Sequence, residues 1–128
     1  MNFPAHLLYT AEHVWVKTMD DGSVLAGITD FAQKELGKVT FVDLPTPGQR
    51  VDASREMGAI ESAKSVSDLF SPISGVVLLI NEKVEEEPVL INQDPYGEGW
   101  LVRITPDPGG NLPVFLGADQ YTELVAGK

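Results

Sequence analysis

The stretch 58–68 constrains this chain more than any other, because it sets one lysine, Lys64, among small residues in a pattern that reads as strand, tight turn, strand. Between Arg55 and Lys83, Lys64 is the only cation. A lysine placed this way is displayed at a hairpin tip rather than buried. Its nearest charges in sequence, Glu61 and Asp68, are both acidic. That is the wrong tuning for a nucleophile, which needs desolvation or a neighbouring cation to shed its proton. The residues therefore point to a lysine that another enzyme modifies.

The remaining pattern is mainly β. Residues 13–18 and 23–28 are rich in strand formers and flank Asp20-Asp21-Gly22, whose Asp-Gly pair suits a primed hairpin turn. Asp30 and Gln33 have capping-box spacing, with Asp30 accepting from the first free amides of a short helix, Gln33 reaching back and Gly37 ending it. Residues 39–44 read as a strand stopped by Pro45 and the Thr46-Pro47-Gly48 turn, and another strand runs from about 57 to 62. A last strand covers 100–104, and both Trp15 and Trp100 are expected in the core. Residues 105–110 break regular structure, after which Asn111 can cap a terminal helix carrying Leu112, Phe115, Leu116 and Leu124. The halves around Lys64 also echo each other weakly. Gly48-Gln49-Arg50-Val51 and Gly58-Ala59-Ile60 precede it; Glu82-Lys83-Val84 and Val89-Leu90-Ile91 follow.

Composition excludes several classes. With 9 basic against 19 acidic residues the formal charge is −10, which opposes a phosphate-backbone partner, so no nucleic acid is expected. The longest aliphatic run, Val76-Val77-Leu78-Leu79-Ile80, falls far short of the roughly 20 apolar residues of a membrane span. Residues 1–10 lack the basic and apolar regions of a signal peptide. The expectation is a soluble, cytoplasmic chain with no membrane association, forming one domain over residues 1–128. Absence of cysteine removes disulfides and thiol chemistry by the chain itself. Two histidines without cysteine do not make a zinc site, and Glu85-Glu86-Glu87 lacks the alternating ligands of a calcium loop, so no metal is expected and those glutamates read as a solvated turn.

Glu61-Ser62-Ala63-Lys64-Ser65-Val66-Ser67-Asp68, followed by Ser71-Pro72-Ile73-Ser74-Gly75, resembles the lipoylation hairpin of the glycine cleavage system H proteins. The resemblance continues through Asn92-Gln93-Asp94-Pro95-Tyr96-Gly97-Glu98-Gly99-Trp100-Leu101. Upstream it takes in Tyr9-Thr10, Glu12-His13, Trp15-Val16, Gly27-Ile28-Thr29-Asp30 and Phe41-Val42-Asp43-Leu44-Pro45. Several motifs in family order, over nearly the whole chain, are far more specific than one. The resemblance implies a lipoyl/biotinyl-carrier fold: a flattened β-barrel or sandwich (barrel-sandwich hybrid), with short helices after the first hairpin and at the C-terminus.

It also implies a carrier rather than an enzyme. Lys64 would bear lipoic acid in amide linkage, and Glu61, Ser62, Ser65, Ser67 and Asp68 would form the hairpin recognised by the lipoate-attaching enzyme. The partners implied are glycine decarboxylase (P protein), aminomethyltransferase (T protein) and dihydrolipoyl dehydrogenase (L protein). The arm, loaded with the aminomethyl group of glycine, would fold into a surface cleft that excludes water. At that cleft the family usually carries an acidic residue where this chain has Val14, between His13 and Trp15. If the segment is a strand, Glu12 shares the face of Val14 and could substitute for the missing carboxylate; Glu12, His13 and Val14 are therefore the expected cleft residues. The alternative is an H-like lipoyl carrier serving lipoate relay or another lipoyl-dependent system. A biotin carrier shares the architecture, but its lysine sits between methionines and Lys64 is flanked by Ala63 and Ser65. An enzyme using Lys64 as nucleophile lacks an evident base, and a purely structural module requires that Lys64 is never modified.

Overall fold

A computed structural model describes residues 1–109 and 113–127. Along the chain it forms β1 (Leu8–Tyr9), β2 (Val14–Thr18), β3 (Val24–Ile28), α1 (Asp30–Leu36), β4 (Val39–Asp43), β5 (Arg50–Val51), β6 (Glu56–Ser62), β7 (Val66–Phe70), β8 (Gly75–Ile80), α2 (Glu82–Glu86), α3 (Leu90–Gln93), β9 (Val102–Pro106) and α4 (Ala118–Ala126). The strands make a six-stranded sheet in the order β1-β2-β3-β9-β8-β5 and a three-stranded sheet in the order β4-β6-β7. The architecture is mainly β with short helices, as expected, in two separate sheets rather than a closed barrel.

Period-two alternation explains how the first hairpin serves two cores. Val14 and Val16 of β2 enter the main cluster with Ile28 and Val77, where they meet Val42, Ile60 and Leu69 of the smaller sheet. Trp15 points the other way, into a second cluster with Tyr9, Phe31 and Tyr121. Its indole nitrogen donates to the Pro95 carbonyl at 2.9 Å, satisfying a ring that is completely buried. Trp100 packs against this second cluster only partly buried, and it lies just before β9 rather than inside a strand.

Other expectations shift for identifiable reasons. The first hairpin turn is a three-residue loop: Gly22 N–H donates to Met19 O, Met19 N–H to Ser23 O, and of the Asp21-Gly22 pair Gly22 alone has positive φ, at 87°. A primed turn would need Asp21 there as well. Helix α1 is capped one residue earlier than its sequence pattern suggests. Thr29 Oγ1 accepts from Ala32 N at 3.2 Å, while Gln33 donates to the Asp30 side chain. The echo around Lys64 fails, because Arg50–Val51 and 58–60 lie in strands, whereas their counterparts 82–84 and 89–91 fall in or at the start of the helices Glu82–Glu86 and Leu90–Gln93. Glu85 and Glu86 accordingly lie exposed on α2 rather than in a turn. The last strand runs two residues later than expected, and α4 begins after Gly117, leaving Phe115 and Leu116 ahead of it. The expected cap at Asn111 and the contact of Leu112 lie outside the described residues.

The small sheet positions Lys64. Cross-strand pairs Phe41–Glu61 and Glu61–Val66 form a row on its outer face, with Phe41 53% and Val66 65% exposed. Val42, Ile60 and Ser67 form the opposite, inner row. Among the described residues no helix is long and apolar enough to cross a membrane, and no three His, Asp or Glu side chains gather to hold a metal ion.

Candidate functional site

The tip joining β6 to β7 is held by Ser62. Its N–H donates to the Ser65 carbonyl at 2.9 Å, and its hydroxyl accepts from the Ser65 and Lys64 amides at 3.2 and 3.4 Å. A serine hydroxyl returning to its own turn is a local substitute for a backbone bond, so the turn closes with small residues alone. Ala63 and Lys64 are exposed, and neither needs a left-handed backbone. Lys64 takes part in none of the four ion pairs among the described residues.

The Lys64 side chain runs back over the end of α1. A methyl built on Gly37 would lie 3.3 Å from Lys64 Cε and 3.8 Å from Nζ, so the absence of a side chain there leaves the lysine its path. Gly37 has φ 77° and closes α1 by donating to Gln33 O. Asn92, from α3, fixes this corner: its amide donates to Gly37 O at 2.8 Å and to Gln33 Oε1 at 3.0 Å, and its oxygen accepts from Val39 N at 2.9 Å.

Beside the lysine opens a cleft of about 550 Å³. Phe31, Ala32, Glu35 and Leu36 from one side of α1 form one wall, Ser65 and Ser67 of the hairpin the other, and His13 the end. The His13 imidazole is held at Nδ1, 2.7 Å from the Tyr121 hydroxyl, and its ring lies 4.9 Å from that of Phe31. The same hydroxyl lies 2.8 Å from Thr29 Oγ1, the cap of α1. Burial pushes the Tyr121 phenol up to about 12, against a downward pull from the Thr29 bond. At neutral pH it is thus an uncharged group able to donate one hydrogen bond and accept others.

Of the residues singled out from sequence, Lys64, Ser62 and Ser65 share the tip, and Ser65, Ser67 and His13 meet at the cleft. Glu61 and Asp68 project from the other face of the hairpin, in the rows Phe41–Glu61–Val66 and Asp43–Ala59–Asp68. Glu12 and Val14 do not line the cleft. Val14 is 1% exposed in the main core, and Glu12 does not share its face because His13, with φ 70°, breaks the extended alternation before β2 begins. The α1 wall was missed. Its signal was the spacing of Phe31, Ala32, Glu35 and Leu36, which puts two i, i+4 pairs on one side of a helix.

A family model described as Glycine cleavage H-protein matches residues 7–128. The chain is 46% identical over 127 residues to the glycine cleavage system H protein of Bacteroides thetaiotaomicron, covering 99% of this chain and all of that one. It is 49% identical over 126 residues to the H protein of Chlorobium phaeobacteroides, covering 98% of each. Among solved structures, the crystal structure of a glycine cleavage system H protein from Mycobacterium marinum matches with a TM-score of 0.89 at 37% identity, covering 97% of this chain and 99% of that one.

Proposed function

The chain belongs to the glycine cleavage H-protein family, and from that premise we propose that it is a non-catalytic, cytoplasmic carrier, one domain over residues 1–128, bearing lipoic acid on Lys64. The residues present fit such a group. Lys64 is exposed at the tip, Gly37 leaves the space that a side chain would fill beneath its stem, and a cleft of about 550 Å³ opens alongside. The single observation that carries the reading is this adjacency of a displayed lysine and a sheltered cleft. When attached, lipoate supplies a dithiolane able to take up the aminomethyl group of glycine from a pyridoxal-phosphate-dependent decarboxylase (P protein), surrender it to a tetrahydrofolate-dependent aminomethyltransferase (T protein), and be reoxidised by a flavin-dependent dihydrolipoyl dehydrogenase (L protein).

The chain's own contribution is to display, shelter and select. Amide formation at Lys64 Nζ, by a lipoate-attaching enzyme reading Glu61, Ser62, Ser65, Ser67 and Asp68, removes the ammonium charge at the tip. Phe31, Ala32 and Leu36 offer an apolar wall that excludes water, and Ser65, Ser67, His13 and Glu35 offer polar contacts. Glu35 is the carboxylate that lines the cleft, so a cationic amine resting there meets a negative charge without any acid at position 14. That weakens the case for another lipoyl-dependent system, which rested on Val14. The test is intact mass and peptide mapping after co-expression with a lipoate-attaching enzyme. Lipoate is expected on Lys64 and absent from a folded Lys64→Arg variant, because arginine keeps the cation but cannot form the amide. Lipoate on Lys34, Lys38 or Lys83, or on the arginine variant, overturns the assignment.

A further inference from the structure

One hydroxyl ties the C-terminal helix to both the end and the wall of the cleft. Tyr121 stands 108 residues from His13 and 92 from Thr29, yet its oxygen bonds to both side chains, at 2.7 and 2.8 Å. The ring is completely buried, stacked on Tyr9 with centroids 4.9 Å apart and met edge-on by Phe3 at 5.0 Å. A hydroxyl in such surroundings is costly unless bonded, and both of its partners belong to the cleft's framework. His13 lines the cleft in a left-handed backbone conformation that a non-glycine residue rarely holds without support. Thr29 caps the helix that carries Phe31, Glu35 and Leu36, and its N–H also donates to the His13 carbonyl at 3.1 Å.

We propose that Tyr121 is a positioning residue of the cleft: from α4 its hydroxyl fixes the His13 imidazole relative to the start of α1, and so sets the spacing of the surfaces between which an arm on Lys64 rests. The inference deepens the carrier reading and rests on it for the purpose of the cleft, but not for the geometry of His13. It also gives α4 a function: the helix lies outside the hairpin and the cleft wall, and reaches the site through Tyr121, whose ring also meets the His13 ring edge-on at 5.8 Å.

The fold supplies a matched control. Tyr9 sits in the same cluster, stacked on Tyr121, but its hydroxyl donates to the Pro4 carbonyl at 2.6 Å. Tyr9→Phe and Tyr121→Phe each delete one buried hydroxyl and keep the ring, so a merely structural role predicts the same outcome for both. The first readout is the pair of imidazole nitrogen resonances of His13 in the unlipoylated protein, which report the tautomer. Tyr121→Phe is expected to change the tautomer ratio, and Tyr9→Phe to leave it as in wild type. The second readout uses lipoylated protein, reduced and then loaded chemically with formaldehyde and ammonium, so that no partner enzyme is needed. Tyr121→Phe is expected to lose the aminomethyl group about three- to tenfold faster than wild type, the range that one net hydrogen bond supports. Unchanged His13 resonances in Tyr121→Phe, or equal effects of the two variants on both readouts, overturn the proposal. If wild type releases its cargo as fast as a short lipoylated peptide does, the sheltering role of the cleft fails, while the resonances still decide whether Tyr121 holds His13.

Discussion

A carboxylate at position 14 would sit in the wrong place. Val14 pairs with Ile28 and is buried in the main core, so Val14→Glu would put an unpaired charge among aliphatic side chains. We expect that variant to lose roughly 3 kcal/mol or more of stability in urea titrations. Unchanged stability would mean that the position-14 side chain can leave the core for the cleft. Glu35 behaves oppositely. It is exposed, and Glu35→Gln should leave stability within about 0.5 kcal/mol. The same variant should release a cationic cargo about two- to threefold faster at low salt, a difference that shrinks as ionic strength rises. Equal release rates at low salt would remove Glu35 from the site.

At the scale of elements, the junction of α1, β4 and the hairpin matters most. Gly37→Ala meets two penalties at once: φ of 77° disfavours any side chain, and the added methyl falls 3.3 Å from Lys64 Cε. A loss of about 1 kcal/mol is expected in thermal or denaturant melts, together with a displaced Lys64 stem. A melt identical to wild type would show that the corner relaxes freely. The first hairpin, α1, β4 and β6 were legible in sequence because their signals are local: strand formers, caps and turn glycines lie within a few residues of what they specify. Helix α2 had comparable marks. Asn81 caps it by accepting from Lys83 N and Glu82 starts it, but residues 82–84 were read only as one side of a weak internal echo and Glu85-Glu86-Glu87 as a solvated turn. The cleft was not legible as a whole, because it joins His13, one side of α1 and the hairpin through contacts that no short window contains. His13 itself defeated the periodic argument by turning the backbone where an uninterrupted strand was assumed.

Across the whole molecule, the acidic surface is tied down at a few exposed points that set its response to acid. Hydrogen bonds from the Ser23 hydroxyl and amide, then from Arg103, hold Asp21 near 2 against an ordinary value of 3.8. Asp107 is lowered in the same sense by Arg50. A folded value below the unfolded one gives stability that is fully present above the unfolded value and is lost as pH falls through the folded one. Melting temperatures should therefore decline between pH about 4 and about 2. Asp21→Asn should flatten part of that decline while lowering the plateau above it. An Asp21→Asn profile parallel to wild type would exclude this contribution.

Lys64 lies at the boundary between two faces of one thin sheet: the exposed row Phe41, Glu61, Val66 on one side, and the cleft lined by Ser65 and Ser67 on the other. A partner that lands on the exposed row leaves the sheltered side untouched, so arrival and unsheltering become successive events with separate clocks. In rapid-mixing experiments the rate of arm exposure should then climb with partner concentration and level off at a ceiling belonging to the carrier alone. A rate that keeps rising in proportion to partner would mean that landing and unsheltering are a single motion.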